Sequence, residues 1–184
     1  GQKRQYIQLA HRANLKLYTF HKPVIAALNG PARGAGAEMA LNCDFIFMAD
    51  DASIAFPEVG LGTFVGGGVT KILPCLLGIR KARELIYTGK VLTGKEAVEY
   101  GLADSSWPVA ELFSRSMDFA EQIASRAPVS VSMAKRNLQL SPDRDMETVL
   151  KMEAESILQC METEDWKEGI AAFNQKRKPV YRGI

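Results

Sequence analysis

The stretch that decides the fold reads KPVIAALNG at residues 22–30 and continues as PARGAGAE at residues 31–38. Residues 24–28 form a short, unbroken apolar run, which predicts a parallel strand that is buried on both faces. The glycines at positions 34 and 36 permit a tight turn, and the strong helix formers of residues 37–41 follow directly. The sequence therefore predicts a strand, a glycine-rich turn and a short helix, a unit that is typical of α/β proteins.

The same kind of organisation extends on both sides of this unit. Apolar residues recur at helical spacing before it, which predicts a first helix that ends near His21. After it, residues 45–49 and 53–56 are expected to form two more buried strands. The tetrapeptide Thr93-Gly94-Lys95-Glu96 fits a capping box, which predicts a helix that starts at Gly94.

Beyond Pro108 the apolar spacing is helical only. We therefore predict two parts, an α/β core at residues 1–108 and a helical region at residues 109–184. No internal repeat or low-complexity segment interrupts either part.

Composition excludes several classes of protein. A length of 184 residues, of which 47% are hydrophobic, suits one compact domain, and a formal net charge of +2 gives no signature of a nucleic-acid or membrane partner. No apolar run is long enough to cross a bilayer, so we expect a soluble protein. Three widely spaced cysteines favour a reduced compartment, which predicts a cytoplasmic protein, or one of the mitochondrial matrix in a eukaryote.

Two carboxylates and one turn carry the candidate chemistry. The backbone amide of Ala35 lies at a predicted helix N-terminus, where unpaired N–H groups attract negative charge, and Glu38 lies in the first turn of that helix. Glu58 follows Pro57 at the end of a predicted strand. Either glutamate alone is more often a helix-dipole partner or a solvated loop residue. Because α/β proteins bind ligands at one edge of the sheet, we expect the two glutamates to meet there.

Such a pair beside an oxyanion donor can add water across a double bond that is conjugated to a thioester. One carboxylate accepts a proton from the attacking water, the other protonates the α-carbon, and backbone amides stabilise the enolate oxygen. This chemistry requires no metal and no redox cofactor.

A series of motifs makes the interpretation specific. The segment at 22–38 is followed by Cys43-Asp44, by FPEVGLG at 56–62, by GGG at 66–68, by LTGKEA at 92–97, by GLA at 101–103 and by FNQKRK at 173–178. In order and spacing this series resembles the crotonase family of enoyl-CoA hydratases and isomerases, most closely the hydratases. The resemblance covers nearly the whole chain.

The resemblance implies a crotonase-like spiral of ββα repeats, with a helical C-terminal region that supports trimers, paired into hexamers. It implies that Glu38 and Glu58 occupy the two acid/base positions of a hydratase, and that Ala35 offers an oxyanion-hole amide. It also implies that Phe173 and Lys176 lie beside the adenine and the phosphates of coenzyme A. The expected partner is an acyl-CoA thioester of fatty acid β-oxidation, with coenzyme A present only as part of the substrate.

Two departures from the family pattern are expected to matter. Ala35 stands where many relatives have glycine, so its methyl group is expected to crowd the acyl group. The family's first oxyanion amide and part of its coenzyme A site come from N-terminal strands, and we expect that segment to lie outside these residues.

Three alternatives stay open at this point. A dinucleotide-binding unit has a similar strand, turn, helix and a second strand that ends at Asp50, but Met39 stands where its third glycine is expected. An RNA-binding or scaffolding protein would use the basic clusters at residues 2–4 and 176–178, although no aromatic stacking platform accompanies them. Another acyl-CoA reaction of the same family, double-bond isomerisation or ring hydrolysis, is the nearest rival.

Overall fold

The computed structural model describes all 184 residues, from Gly1 to Ile184. The strands are β1 (Ile25–Leu28), β2 (Ala32–Arg33), β3 (Phe45–Ala49), β4 (Ser53–Ala55), β5 (Leu92–Thr93) and β6 (Ser105–Trp107). The α-helices are α1 (Gln2–Tyr18), α2 (Ala35–Leu41), α3 (Val69–Leu77), α4 (Ile79–Thr88), α5 (Gly94–Tyr100), α6 (Val109–Ala124), α7 (Pro128–Leu140), α8 (Met146–Met161) and α9 (Glu164–Asn174). Two 3-10 helices cover Glu58–Leu61 and Ser141–Asp143. The predicted α/β class with a helical C-terminal part is confirmed.

The chain divides into two compact units. The first comprises residues 1–20 and 24–117, and the second comprises residues 21–23 and 118–184. The last strand ends at Trp107, whereas the units separate inside α6. The predicted boundary at residue 108 stays a prediction.

The first unit contains two small three-stranded sheets. One has the order β1-β3-β6 with all strands parallel, and the other has the order β2-β4-β5 with β5 antiparallel to β4. Strand β3 lies in the middle of the first sheet, and the four residues after Phe45 in this strand are buried. Its continuous apolar sequence is therefore the one expected for a central parallel strand.

Strand β1 exists as predicted, but the prediction that it is buried on both faces is wrong. Ile25, Ala26 and Leu28 are half-buried, and Ala27 is exposed. The reason is its position, because β1 lies at the edge of its sheet and pairs only with β3. An apolar run alone does not distinguish an edge strand from a central one.

Two aspartates fix where strands of this sheet begin. Asp44 Oδ2 accepts a hydrogen bond from Val24 N at 2.7 Å, and Asp104 Oδ2 accepts one from Ile46 N at 2.7 Å. Burial raises the pKa of Asp104, while the hydrogen bond from Ile46 opposes that rise. These carboxylates satisfy amides at the strand ends that the ladder leaves unpaired.

The capping box at the start of α5 is confirmed. Thr93 Oγ1 accepts a hydrogen bond from Glu96 N, and Glu96 Oε2 accepts one from Thr93 N at 2.7 Å. The helix begins at Gly94, as predicted. The short strands β2, β5 and β6 were not predicted, because two or three residues are too few to show a period.

In the second unit, the C-terminal tail folds back along α9. Asp165 is buried and its two carboxylate oxygens accept hydrogen bonds from Arg182 N and Gly183 N. Glu168 forms a two-point ion pair with Arg177, which lowers the pKa of Glu168 to about 2. The ion pair therefore contributes to the stability of the fold at pH values above the ordinary carboxyl pKa of 4.5. This contribution is lost as the pH falls through about 2.

No helix combines the length and the apolar character that a membrane span requires.

Gly94 is the position where added bulk is least tolerated. A Cβ at this position would lie 2.1 Å from the carbonyl oxygen of Ala49, which is backbone of the central strand. We expect Gly94→Ala to lower the free energy of unfolding by about 3 kcal/mol, measured by urea denaturation, because overpacking against backbone forces strands and helix apart. The matched control is Gly30→Ala, which meets nothing within 4 Å. Equal stability of the two variants would contradict this packing.

Candidate active site

The N-terminus of α2 is the base of the site. Gly34 precedes the helix with φ of 51°, a conformation that a side chain disfavours, and this places Ala35 at the first helical position. Ala35 and Gly36 are exposed, so their backbone amides are accessible. Amides in the first turn of a helix have no partner within the helix and are therefore available to an oxyanion.

Glu38 lies on the first turn of α2 with its side chain buried. Its Oε1 accepts a hydrogen bond of 2.6 Å from Gly66 N, in the glycine-rich loop at residues 66–68 that precedes α3. Gly67 in that loop has φ of 57°, and a Cβ there would lie 2.9 Å from Glu38 Cβ. The loop can approach Glu38 this closely because glycine occupies both positions.

Glu58 is also buried, at the start of the first 3-10 helix. A Cβ on Gly34 would lie 2.9 Å from Glu58 Oε1, so the carboxylate packs directly against the residue that precedes α2. Its other oxygen, Oε2, is fully buried and accepts no hydrogen bond from the protein. A buried carboxylate oxygen without a partner is costly and is uncommon away from functional sites.

The structure thus brings Ala35, Glu38 and Glu58 to the first turn of one helix. Glu38 N donates to Gly34 O at 2.9 Å, and Glu58 packs on Gly34. The catalytic roles of the three residues stay predictions. The arrangement places two buried carboxylates near the N-terminal amides of one helix, which suits proton transfer around a bound carbonyl group.

A polar network that sequence reasoning missed supports Glu38. The Nδ2 amide of Asn42 donates to Glu38 O at 2.8 Å, to Gly67 O at 2.6 Å and to Asn14 Oδ1 at 3.2 Å. Both asparagines are buried. The network joins α1, α2 and the glycine-rich loop, so it fixes the loop whose amide holds Glu38. The helical spacing from Glu38 to Asn42 was the one available signal.

A cavity of about 610 Å³ lies beside the glycine-rich loop that contacts Glu38, and its lining does not include Ala35, Glu38 or Glu58. Its wall contains Gly66 and Gly67, which contact Glu38, and Asn42, which lies one helical turn after it. The remaining wall comes from α1, from the segment that leads into α3 and from the first turn of α3, namely His11, Asn14, Leu15, Tyr18, Phe64, Val65, Gly68, Thr70, Lys71 and Ile72. All of these residues belong to the first unit.

The other predicted site residues have different surroundings. Phe173 lies near the end of α9 in the second unit and is 83% exposed, which excludes the interpretation of this ring as a core aromatic. Lys176 is exposed, with φ of 52°.

Asp50, the acidic residue of the dinucleotide interpretation, pairs with Lys95 at 3.4 Å. No group of three histidine, cysteine, aspartate or glutamate side chains is arranged to hold a metal ion.

Gly34 offers a direct test of this geometry. We expect Gly34→Ala to lower the free energy of unfolding by about 2 kcal/mol in urea denaturation, because a side chain at positive φ is strained and the methyl group would displace the Glu58 carboxylate. Gly36→Ala is the matched control, since a Cβ there meets nothing within 4 Å. The packing of Glu58 on Gly34 would be refuted by a Gly34→Ala variant as stable as the control.

Comparisons with known proteins identify relatives of this chain. The sequence profile of the enoyl-CoA hydratase/isomerase family matches residues 2–183. A putative enoyl-CoA hydratase/isomerase of Bacillus subtilis is 38% identical over 178 residues, which cover 97% of this chain and 68% of that protein. The short-chain-enoyl-CoA hydratase of Clostridium acetobutylicum is 37% identical over 175 residues, which cover 95% of this chain and 67% of that protein.

Solved structures of enoyl-CoA hydratases also match this chain. The crystal structure of an enoyl-CoA hydratase from Bacillus anthracis superposes with a TM-score of 0.96 at 38% identity, covering 100% of this chain and 71% of that one. The chain therefore spans about two thirds of the length of these relatives. The matches confirm the predicted resemblance to the crotonase family and the predicted crotonase-like fold. They also confirm the prediction that the protein is an enzyme of the enoyl-CoA hydratase type. The chain belongs to the enoyl-CoA hydratase/isomerase family.

Proposed function

We propose that the protein hydrates a trans-2-enoyl-CoA thioester, adding water across its 2,3 double bond. The observation that carries this proposal is the pair of buried carboxylates, Glu38 on the first turn of α2 and Glu58 packed against the residue that precedes this helix. Hydration needs two proton-transfer groups, one at each carbon of the double bond, and a donor for the thioester oxygen. The names of the matched relatives as hydratases support the same reaction.

In the proposed reaction, Glu38 in its ionised form takes a proton from a water molecule as the water oxygen bonds to the β-carbon. The electrons of the double bond move onto the thioester oxygen, where the amide of Ala35 donates to the developing negative charge. Glu58 in its protonated form then gives its proton to the α-carbon, and the carbonyl is restored. After the product leaves, the proton that Glu38 took passes through solvent to Glu58, which restores the starting protonation states. The two glutamates can also share these roles.

The fixed position of Glu38 supports its assignment to the water. The hydrogen bond from Gly66 N occupies Oε1 and leaves Oε2 without a hydrogen bond from the protein. Glu58 Oε2 likewise lacks a protein partner. Each carboxylate therefore has one oxygen that the protein holds in place, by the hydrogen bond from Gly66 N in Glu38 and by packing on Gly34 in Glu58, and one oxygen without a hydrogen bond from the protein. The reaction moves only protons, so we propose no cofactor beyond the coenzyme A portion of the substrate.

Coenzyme A recognition and assembly complete the proposal. The exposed ring of Phe173 suits stacking on adenine, and the ammonium group of Lys176 suits pairing with a phosphate. We further propose that the protein forms trimers, paired into hexamers, and acts in fatty acid β-oxidation in the cytoplasm or, in a eukaryote, in the mitochondrial matrix.

We expect Glu38→Gln and Glu58→Gln each to lower kcat roughly a hundredfold or more, because each removes one acid/base group and keeps its shape. The measurement is the loss of conjugated absorbance with a panel of 2-enoyl-CoA thioesters, on protein expressed from its complete reading frame. Glu99→Gln is the control, since Glu99 is exposed. A change under threefold in both variants would refute the assignment. Turnover of 3-enoyl-CoA thioesters without any hydration would instead favour an isomerase.

We expect Phe173→Ala and Lys176→Ala each to raise KM for an enoyl-CoA roughly tenfold while kcat changes less than twofold, because these residues are assigned to binding remote from the reacting carbons. The matched comparison is the same acyl group on pantetheine, which lacks adenine and the nucleotide phosphates. Both variants should use this truncated thioester as the unmodified protein does. An equal loss with both thioesters would show that the residues act on folding or assembly instead.

A further inference from the structure

His11 is a third polar group beside the proposed catalytic centre. A Cβ placed on Gly66 would lie 3.1 Å from Glu38 Oε2 and 3.5 Å from His11 Nε2. Both atoms therefore lie close to one point, and their separation cannot exceed the sum of these two distances. Because Gly66 has no side chain, nothing from this residue fills the space between them.

The wall around His11 also contains the hydroxyl groups of Tyr18 and Thr70 and the ammonium group of Lys71. Asn14 and Asn42 are engaged with each other and with backbone carbonyls, and Leu15, Phe64, Val65 and Ile72 are apolar. The ring of His11 makes no hydrogen bond or ion pair with the protein. The cavity is lined by one histidine and one lysine, Lys71, but by no aspartate or glutamate.

The position of this cavity suits the part of the acyl chain beyond the β-carbon. In the proposed reaction Glu38 delivers water to the β-carbon, so the acyl chain beyond that carbon continues past Glu38 into the adjoining cavity. His11 then faces the first few carbons beyond the β-carbon. His11 is exposed, so water can solvate its imidazole until a chain covers it. An unsubstituted alkyl chain would displace that water and leave the nitrogen without a partner, which opposes binding. A hydroxyl or carboxylate oxygen on the chain would satisfy that nitrogen.

We propose that His11 is a specificity-determining residue, which makes the cavity beside Glu38 favour acyl chains that carry an oxygen substituent over unsubstituted alkyl chains of the same length. The inference rests on the proposed function for the orientation of the thioester, and it goes beyond it by naming the substrate class. Sites that hydrogen-bond a substrate oxygen reject analogues that lack it far more strongly than apolar pockets reject an extra group.

The test compares three six-carbon 2-enoyl-CoA thioesters, with a methyl group, a hydroxyl group or a carboxylate at the chain terminus. We expect kcat/KM to be at least roughly tenfold higher for one or both oxygenated substrates than for the alkyl one. The two oxygenated substrates separate a neutral from an anionic preference. His11→Leu should abolish the preference, and His11→Gln, which keeps a hydrogen-bonding group, should retain part of it. His21→Leu, which alters the chain's other histidine, is the control and should leave the preference intact.

Binding of the three corresponding saturated CoA thioesters, measured by calorimetry, separates this inference from the proposed function. If the protein hydrates no thioester yet binds the oxygenated ligands more tightly through His11, the proposed function fails and the specificity assignment stands. If the protein hydrates all three substrates at similar kcat/KM, or if His11→Leu leaves an existing preference unchanged, the assignment to His11 is overturned.

Discussion

Two glycines with no room for a side chain, Gly34 and Gly66, set the geometry on which the rest of the site depends. Glu58 packs against the first of them, and Glu38 accepts the amide hydrogen of the second. A methyl group at either position would contact a carboxylate oxygen at 2.9 to 3.1 Å. The close approach of backbone to both acids is what brings two distant parts of the chain to one helix turn. It also keeps both carboxylates buried, where their interactions with a substrate are stronger than in water.

Hydrogen bonds from neighbouring polar groups offset part of the free energy needed to bury Glu38 and the loop beside it. Asn42 bonds the backbone on both sides of Glu38, and Asn14 completes the contact from α1. Each buried hydrogen bond contributes about 1 kcal/mol, whereas an unsatisfied buried group costs about 1–3 kcal/mol. Glu58 Oε2 is the one fully buried side-chain oxygen or nitrogen without a partner. This unpartnered oxygen lies at the proposed site, where local rules are expected to fail.

The sequence predicted the elements with a long or strongly marked pattern. The predictions of strand β3, of the first helix and of the capping box at Thr93 are confirmed. Glu38 lies in α2 as predicted, and Glu58 packs against the residue before this helix. The edge position of β1 was missed because burial depends on which strands pair, which a local apolar run does not encode. His11 and Asn14 were missed for a related reason. They lie on a helix whose apolar stripe was visible, but their proximity to Glu38 arises only when the glycine-rich loop folds between them.

The central claim is that one thioester contacts Ala35 and both glutamates at the same time. The most direct test is a crystal structure of the protein, expressed from its complete reading frame, with a bound 3-hydroxyacyl-CoA product. We expect the hydroxyl within about 3.2 Å of the Glu38 carboxylate, the α-carbon facing Glu58, and the thioester oxygen accepting a hydrogen bond from Ala35 N. A thioester bound away from α2, or in contact with only one of the two carboxylates, would contradict the account.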